Sequence, residues 1–155
     1  MTELELSIAI EALLVARNPR DMQTARAALE PGYYLRAAQQ LRDITGNVII
    51  GTGFPVTGTF ETDGPVGAIA LYQVLGGLGA TPLLACGPPL SDSLKEDFQV
   101  LLLEARDLDS ATQEARRQLA ELQPAAVVSI ERPGLAADGR YYNCLLYTSD
   151  AADDN

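Results

Sequence analysis

The stretch Gly51–Ala68, GTGFPVTGTFETDGPVGA, sets two carboxylates, Glu61 and Asp63, between a glycine-rich turn and an apolar segment opened by Pro65. A second stretch, ERPGLAADGRYYN at Glu131–Asn143, carries Glu131 and Asp138 beside Arg132, Arg140, Tyr141, Tyr142 and Asn143. Carboxylates can exchange protons with a substrate or hold an ammonium group, and an arginine fork holds a carboxylate through two parallel hydrogen bonds. The free N–H groups of a helix start add a seat for negative charge. A small molecule bearing both signs, such as an amino acid, fits that combination.

Plainer readings stand beside these. In ETDGP, Thr62 or Asp63 could accept the free N–H groups of the helix that Pro65 opens, while Glu61 favours its positive end; this is capping without function. In the second stretch, Asp138-Gly139 suits a surface turn. The glycines do not build a nucleotide site. A G-x-G-x-x-G motif started at Gly51 meets Val56 where glycine is required, and a phosphate loop started at Gly53 meets Thr59 and Phe60 in place of Lys and Ser/Thr. Cys86, at a strand end, reads as a small buried hydrophobe rather than a nucleophile.

Composition narrows the chemistry further. The chain has no histidine, which excludes Ser-His-Asp and Cys-His catalysis from its own residues and leaves Asp, Glu, Tyr, Lys, Cys and Arg as acids and bases. Two cysteines are too few for a disulfide framework or a cysteine zinc site. A formal charge of −10 argues against nucleic acid as a partner. The longest apolar runs are far too short to span a bilayer, and Met1 leads into acidic residues, so a cytoplasmic protein is expected, without membrane association.

The elements that must position these residues follow from periodicity and breakers. Leu4, Ile8, Leu13 and Leu14 predict an amphipathic helix ending at Asn18-Pro19; further helices are expected over about Asp21–Leu29 and Tyr34–Ile44. From Asn47 the pattern changes to a buried strand, VII, then a helix from Pro65 to Leu78 and a second strand, TPLLAC. A short helix over Ser91–Phe98 with Ser91 as its cap, a strand VLLLEA, a helix over Asp109–Leu122 capped by Asp109 or Ser110, and a strand AAVVSI at Ala125–Ile130 complete the series. Alternation of this kind implies an α/β fold, a parallel Rossmann-like open sheet flanked by helices. Ligands in such sheets bind at the carboxyl ends of strands, which singles out the loops Thr52–Gly64 and Glu131–Asn143.

The last twelve residues, CLLYTSDAADDN, follow abruptly on a Gly/Pro-rich segment and resemble a translated sequencing adapter. Residues 144–155 are therefore read as a non-native tail. Residues 1–143 are then an amino-terminal part of one α/β domain, its sheet incomplete because the chain is truncated.

GFPV followed by ETDGPVGA, a helix ending at LGG, and then ERPG and DGRYYN resemble the D-glutamate cyclase-like family of bacterial and mitochondrial proteins, over essentially all of Met1–Asn143. The resemblance implies a lyase that cyclises free D-glutamate to 5-oxo-D-proline with loss of water, a reaction of D-amino acid metabolism. It also implies a continuation beyond YYN, which Cys144 replaces here, so this fragment is expected to be inactive by itself. Attack of the amine on the side-chain carboxyl carbon asks for a base, an acid and a stabilised oxyanion. With that reaction, Glu61, Asp63, Glu131 and Asp138 are the candidate acids and bases, and Gly53, Thr62, Gly64, Arg132, Arg140 and Asn143 the candidate substrate contacts. A divalent Mg²⁺ or Mn²⁺ held by oxygen ligands is a possible electrophile. The competing expectation is a non-catalytic amino-acid-binding or regulatory module on the same scaffold.

Overall fold

A computed structural model describes residues 1–17, 21–53, 55–56, 59–105, 107–132, 134 and 137. Asn18-Pro19, Asp138, Arg140, Asn143 and the tail 144–155 lie outside the described residues. The chain divides into two compact units, Met1–Ile44 and Thr45–Asn155.

The first unit is helical: α1 (Glu3–Val15), α2 (Met22–Ala27) and α3 (Tyr33–Arg42). Thr2 starts α1 through a reciprocal cap, its hydroxyl accepting from Glu5 N–H at 3.2 Å while the Glu5 carboxylate accepts from Thr2 N–H at 2.7 Å. The expected apolar face of α1 needs correction. Leu4, Leu13 and Leu14 are exposed, and the buried positions are Ser7, Glu11 and Val15. The reason lies at the start of α3, where Gly32 occupies the cap position at φ 90° and has no side chain with which to cap. Glu11 does this from α1, accepting from Gly32 N–H at 3.1 Å and Tyr34 N–H at 3.3 Å, while Ser7 donates to Glu11 at 2.8 Å and accepts from Leu35 N–H at 3.0 Å. Three helix-start donors without intrahelical partners are thereby satisfied from another helix.

Burial raises the Glu11 carboxyl pKa, but the donors from Gly32, Ser7 and Tyr34 and the charge of Arg26 outweigh it and hold the group below the usual carboxylate range. A folded pKa below the unfolded one contributes stability that is present above the unfolded value and is lost as pH falls through the folded value. Glu11→Gln is therefore expected to lower the melting midpoint at neutral pH and to reduce its acid dependence. Thermal melts between pH 3 and 7, on the order of the carboxylate range, check this.

Among its described residues the second unit holds six strands: β1 (Gly46–Thr52), β2 (Pro55–Val56), β3 (Thr59–Phe60), β4 (Ala80–Cys86), β5 (Val100–Leu102) and β6 (Ala126–Ile130). Between them run α4 (Asp63–Gly77), α5 (Leu90–Leu94) and α6 (Leu108–Leu122). Four strands form a parallel sheet in the order β5-β4-β1-β6, the α/β open sheet flanked by helices that the alternation predicts. Strand β1 lies inside it, and Val48 and Ile50 are fully buried with Ile49 nearly so. That placement explains why VII is apolar without alternation. Helix α4 packs on β4 and β1 and reaches β6.

Three local expectations are corrected. The helix expected from Ser91 is α5, with Pro89 at its cap position and Ser91 buried within it. The longer helix is capped by Asp107, not Asp109 or Ser110, through a reciprocal pair in which Ser110 N–H donates to Asp107 at 2.8 Å. The glycine-rich turn contains a small antiparallel hairpin, β2 paired with β3, with Pro55 opposite Phe60 and Val56 opposite Thr59. A two-residue spacing with glycine between two short β-prone runs, as in PVTGTF, is a hairpin signal in the sequence itself.

Candidate functional site

From β1 the chain passes to β4 and β5 on one side, then returns to β6 on the other side of β1. The order therefore reverses between β1 and β6. The crevice outside the carboxyl ends of strands at such a reversal is where open α/β sheets place ligands. Both acidic loops leave from it, one after Thr52 and one after Ile130, whose backbones pair in register.

Gly64, in the first turn of α4, brings the loops into contact. A β-carbon on Gly64 would fall 2.6 Å from the Glu131 β-carbon, 3.0 Å from Thr52 Oγ1 and 3.2 Å from the Ile130 carbonyl oxygen. Only glycine lets the start of α4 approach the end of β6 this closely. Glu131 itself adopts the left-handed region at φ 52°, a conformation that costs a non-glycine residue about 1–2 kcal/mol. Backbone strain of this kind, held by surrounding structure, concentrates at functional sites. Gly53 turns the chain at φ 70°, and a β-carbon there would strike the Leu90 side chain, so the start of α5 forms a further wall.

The capping account of ETDGP does not describe the bonds made. Thr62 stands at the cap position of α4 without a side-chain cap, and Asp63 is exposed at the first helical position. Glu61 instead accepts from the N–H of its neighbour Thr62 at 3.0 Å. Pro65 has no N–H to offer. The N–H groups of Asp63 and Gly64 therefore remain as the open donors of this helix start, with no acceptor among the described residues.

Arg132 does not extend into the crevice as a free clamp. Its Nη1 donates to the carbonyls of Thr52 at 3.3 Å and Gly53 at 3.2 Å, and its Cδ lies 3.3 Å from where a Gly51 β-carbon would stand. The guanidinium thus ties the β6 loop to the end of β1, and a substrate carboxylate would meet only its remaining N–H groups. Cys86, at the end of β4, is buried; burial pushes its thiol up, with the Arg132 charge pulling the other way. A protonated buried thiol is a poor nucleophile, in keeping with the sequence reading.

Among the described residues, no group of three or more His, Cys, Asp and Glu side chains is placed to hold a metal ion. Glu61, Asp63 and Glu131 therefore do not form such a set by themselves, and Asp138 lies outside the described residues. Among the described residues, three buried side-chain polar atoms lack a hydrogen-bond partner: Arg26 Nε in the helical unit, and Thr52 Oγ1 and Ser91 Oγ in the sheet unit. Sequence reasoning missed both hydroxyls. The position of Thr52 as the last residue of β1 was the available signal. No helix among the described residues is long and apolar enough to cross a membrane.

A parallel open sheet whose glycine-rich and acidic loops meet at its reversal point defines an open α/β protein, an architecture whose carboxyl edge is the usual place for a ligand. The chain matches the family model described as "D-glutamate cyclase-like, C-terminal" over residues 10–146, and it belongs to that family. No curated protein matches the chain.

Proposed function

We propose that the chain carries the reversal-point half of an enzyme that cyclises D-glutamate to 5-oxo-D-proline and water. The observation that supports this most is the contact of Gly64 with Glu131, which joins two loops rich in carboxylates beside open helix-start donors, in a chain of the D-glutamate cyclase-like family. In the reaction, the substrate ammonium gives up two protons, one before and one after its nitrogen attacks the side-chain carboxyl carbon, while a carboxyl oxygen takes up two protons and leaves as water when its C–O bond breaks. Asp63 and Glu131, on opposite sides of the contact, are the pair for these transfers. With no histidine in the chain, two carboxylates in different surroundings are the available acid and base.

Arg132 takes a more modest part than its residue type suggests. It fixes the end of β1 and lends its remaining donors to a carboxylate, with Arg140 as the second candidate. The test of this reading uses a parent protein that carries these loops within an uninterrupted family sequence. Incubating that uninterrupted parent with D-glutamate and with L-glutamate, and following 5-oxoproline by chromatography, is expected to show product from the D-isomer. If product forms from neither isomer while D-glutamate still binds, the domain is an amino-acid-binding module and not a cyclase.

A further inference from the structure

We infer that the Thr52 hydroxyl, with the N–H groups of Asp63 and Gly64, holds one carboxylate of an amino-acid ligand. The inference rests on the amino-acid reading of the site above and adds to it a residue and a role. Thr52 is fully buried at the carboxyl end of β1, and its hydroxyl has no hydrogen-bond partner among the described residues. A buried hydroxyl without a protein partner forgoes its hydration, and an oxygen of a ligand would restore the lost hydrogen bond. This hydroxyl faces the first turn of α4, 3.0 Å from where a Gly64 β-carbon would stand.

That turn offers two N–H groups without acceptors among the described residues, because Thr62 supplies no side-chain cap. One hydroxyl beside that turn and two amides within it place three donors at the positive end of a helix of 15 residues, a setting that favours a carboxylate. The neighbouring carboxylates, Asp63 and Glu131, would repel a simple dianion. They favour a ligand whose ammonium group accompanies its carboxylate, and so select an amino acid over the corresponding diacid.

The test uses the 155-residue chain, with D-glutamate and glutarate as probes and amide resonances and melting midpoints as readouts. D-Glutamate is expected to shift the Asp63 and Gly64 amides and to bind more tightly than glutarate. Thr52→Val keeps the shape and removes the hydroxyl; it is expected to raise the melting midpoint while weakening D-glutamate binding roughly 10–100-fold, the range for a lost hydrogen bond to a charged group. Thr52→Ser is expected to keep affinity within a few-fold of the native chain, on the order of a factor of three. Unchanged affinity in Thr52→Val, a lowered midpoint in that variant, or no carboxylate binding by the native chain would each overturn the inference. Thr52-dependent binding together with a parent that forms no 5-oxoproline would leave the carboxylate seat standing and remove the cyclase reading. A turning-over parent in which Thr52→Val leaves KM and kcat unchanged would do the reverse.

Discussion

Gly64→Ala is expected to destabilise the sheet unit by about 1–3 kcal/mol, the range for forcing a methyl group into a packed site. Intrinsic propensity argues the other way, since alanine is favoured over glycine within a helix by about 1 kcal/mol. Geometry decides between the two effects. The added carbon would meet the Glu131 β-carbon at 2.6 Å and the Ile130 carbonyl oxygen at 3.2 Å, and neither can rotate aside without moving the β6 backbone. Gly67→Ala on the same helix is the matched control, because its new carbon would make an ordinary contact with Ile130 Cγ2 at 3.5 Å. That variant is expected to be neutral or stabilising by up to about 1 kcal/mol. Denaturant melts of both variants check this, and equal effects at the two positions would mean that the close approach at Gly64 carries no special energetic weight. In the parent, Gly64→Ala is also expected to cost activity, because it separates the two acidic loops.

In the uninterrupted parent, Asp63→Asn and Glu131→Gln are each expected to fold normally and to lose roughly 10²–10⁴-fold in kcat, the contribution of a positioned acid or base. Asp63 makes no side-chain cap on α4, so the amide variant removes no structural hydrogen bond, and its stability is expected to stay within about 0.5 kcal/mol of the native value. Glu131 allows a sharper separation of structure from chemistry. Glu131→Gly relieves the left-handed backbone at φ 52°, a gain offset in part by the greater freedom of glycine in the unfolded chain, and the net is expected to be a stabilisation of under about 1 kcal/mol. Stability held or raised while turnover falls would assign the strain to function. Full activity in both Asp63→Asn and Glu131→Gln would remove these carboxylates from the acid and base roles while leaving family membership intact.

The alternation of apolar runs with capped, periodic segments determined the parallel α/β sheet, because a run such as VII between glycines suits a strand buried on both faces. The unusual blocks ETDGP and DGRYYN determined the family. The absence of histidine determined which chemistries were open, since composition alone sets the supply of acids and bases. Local boundaries were less legible. Asp107, Asp109 and Ser110 all suit a helix cap, and only the hydrogen bonds formed select Asp107.

What only the tertiary structure decided depends on contacts between residues far apart in the chain. In α1, Leu4, Leu13 and Leu14 read as a core face, yet Ser7 and Glu11 are buried instead, because the start of α3 supplies backbone donors that no pattern within α1 records. Arg132 reads as a substrate clamp, but the carbonyls at the end of β1, some eighty positions earlier, take its Nη1 donors. Thr52 reads as the first residue of the glycine-rich loop, and the structure makes it the last residue of β1. Its hydroxyl, without a partner among the described residues, is enclosed where the strand order turns back beside β1 and Gly64 lets α4 approach. Local sequence sets which elements form, because propensity, caps and periodicity act over a few residues. The partners of each polar group are set by strand order and close approach, which are properties of the folded chain alone.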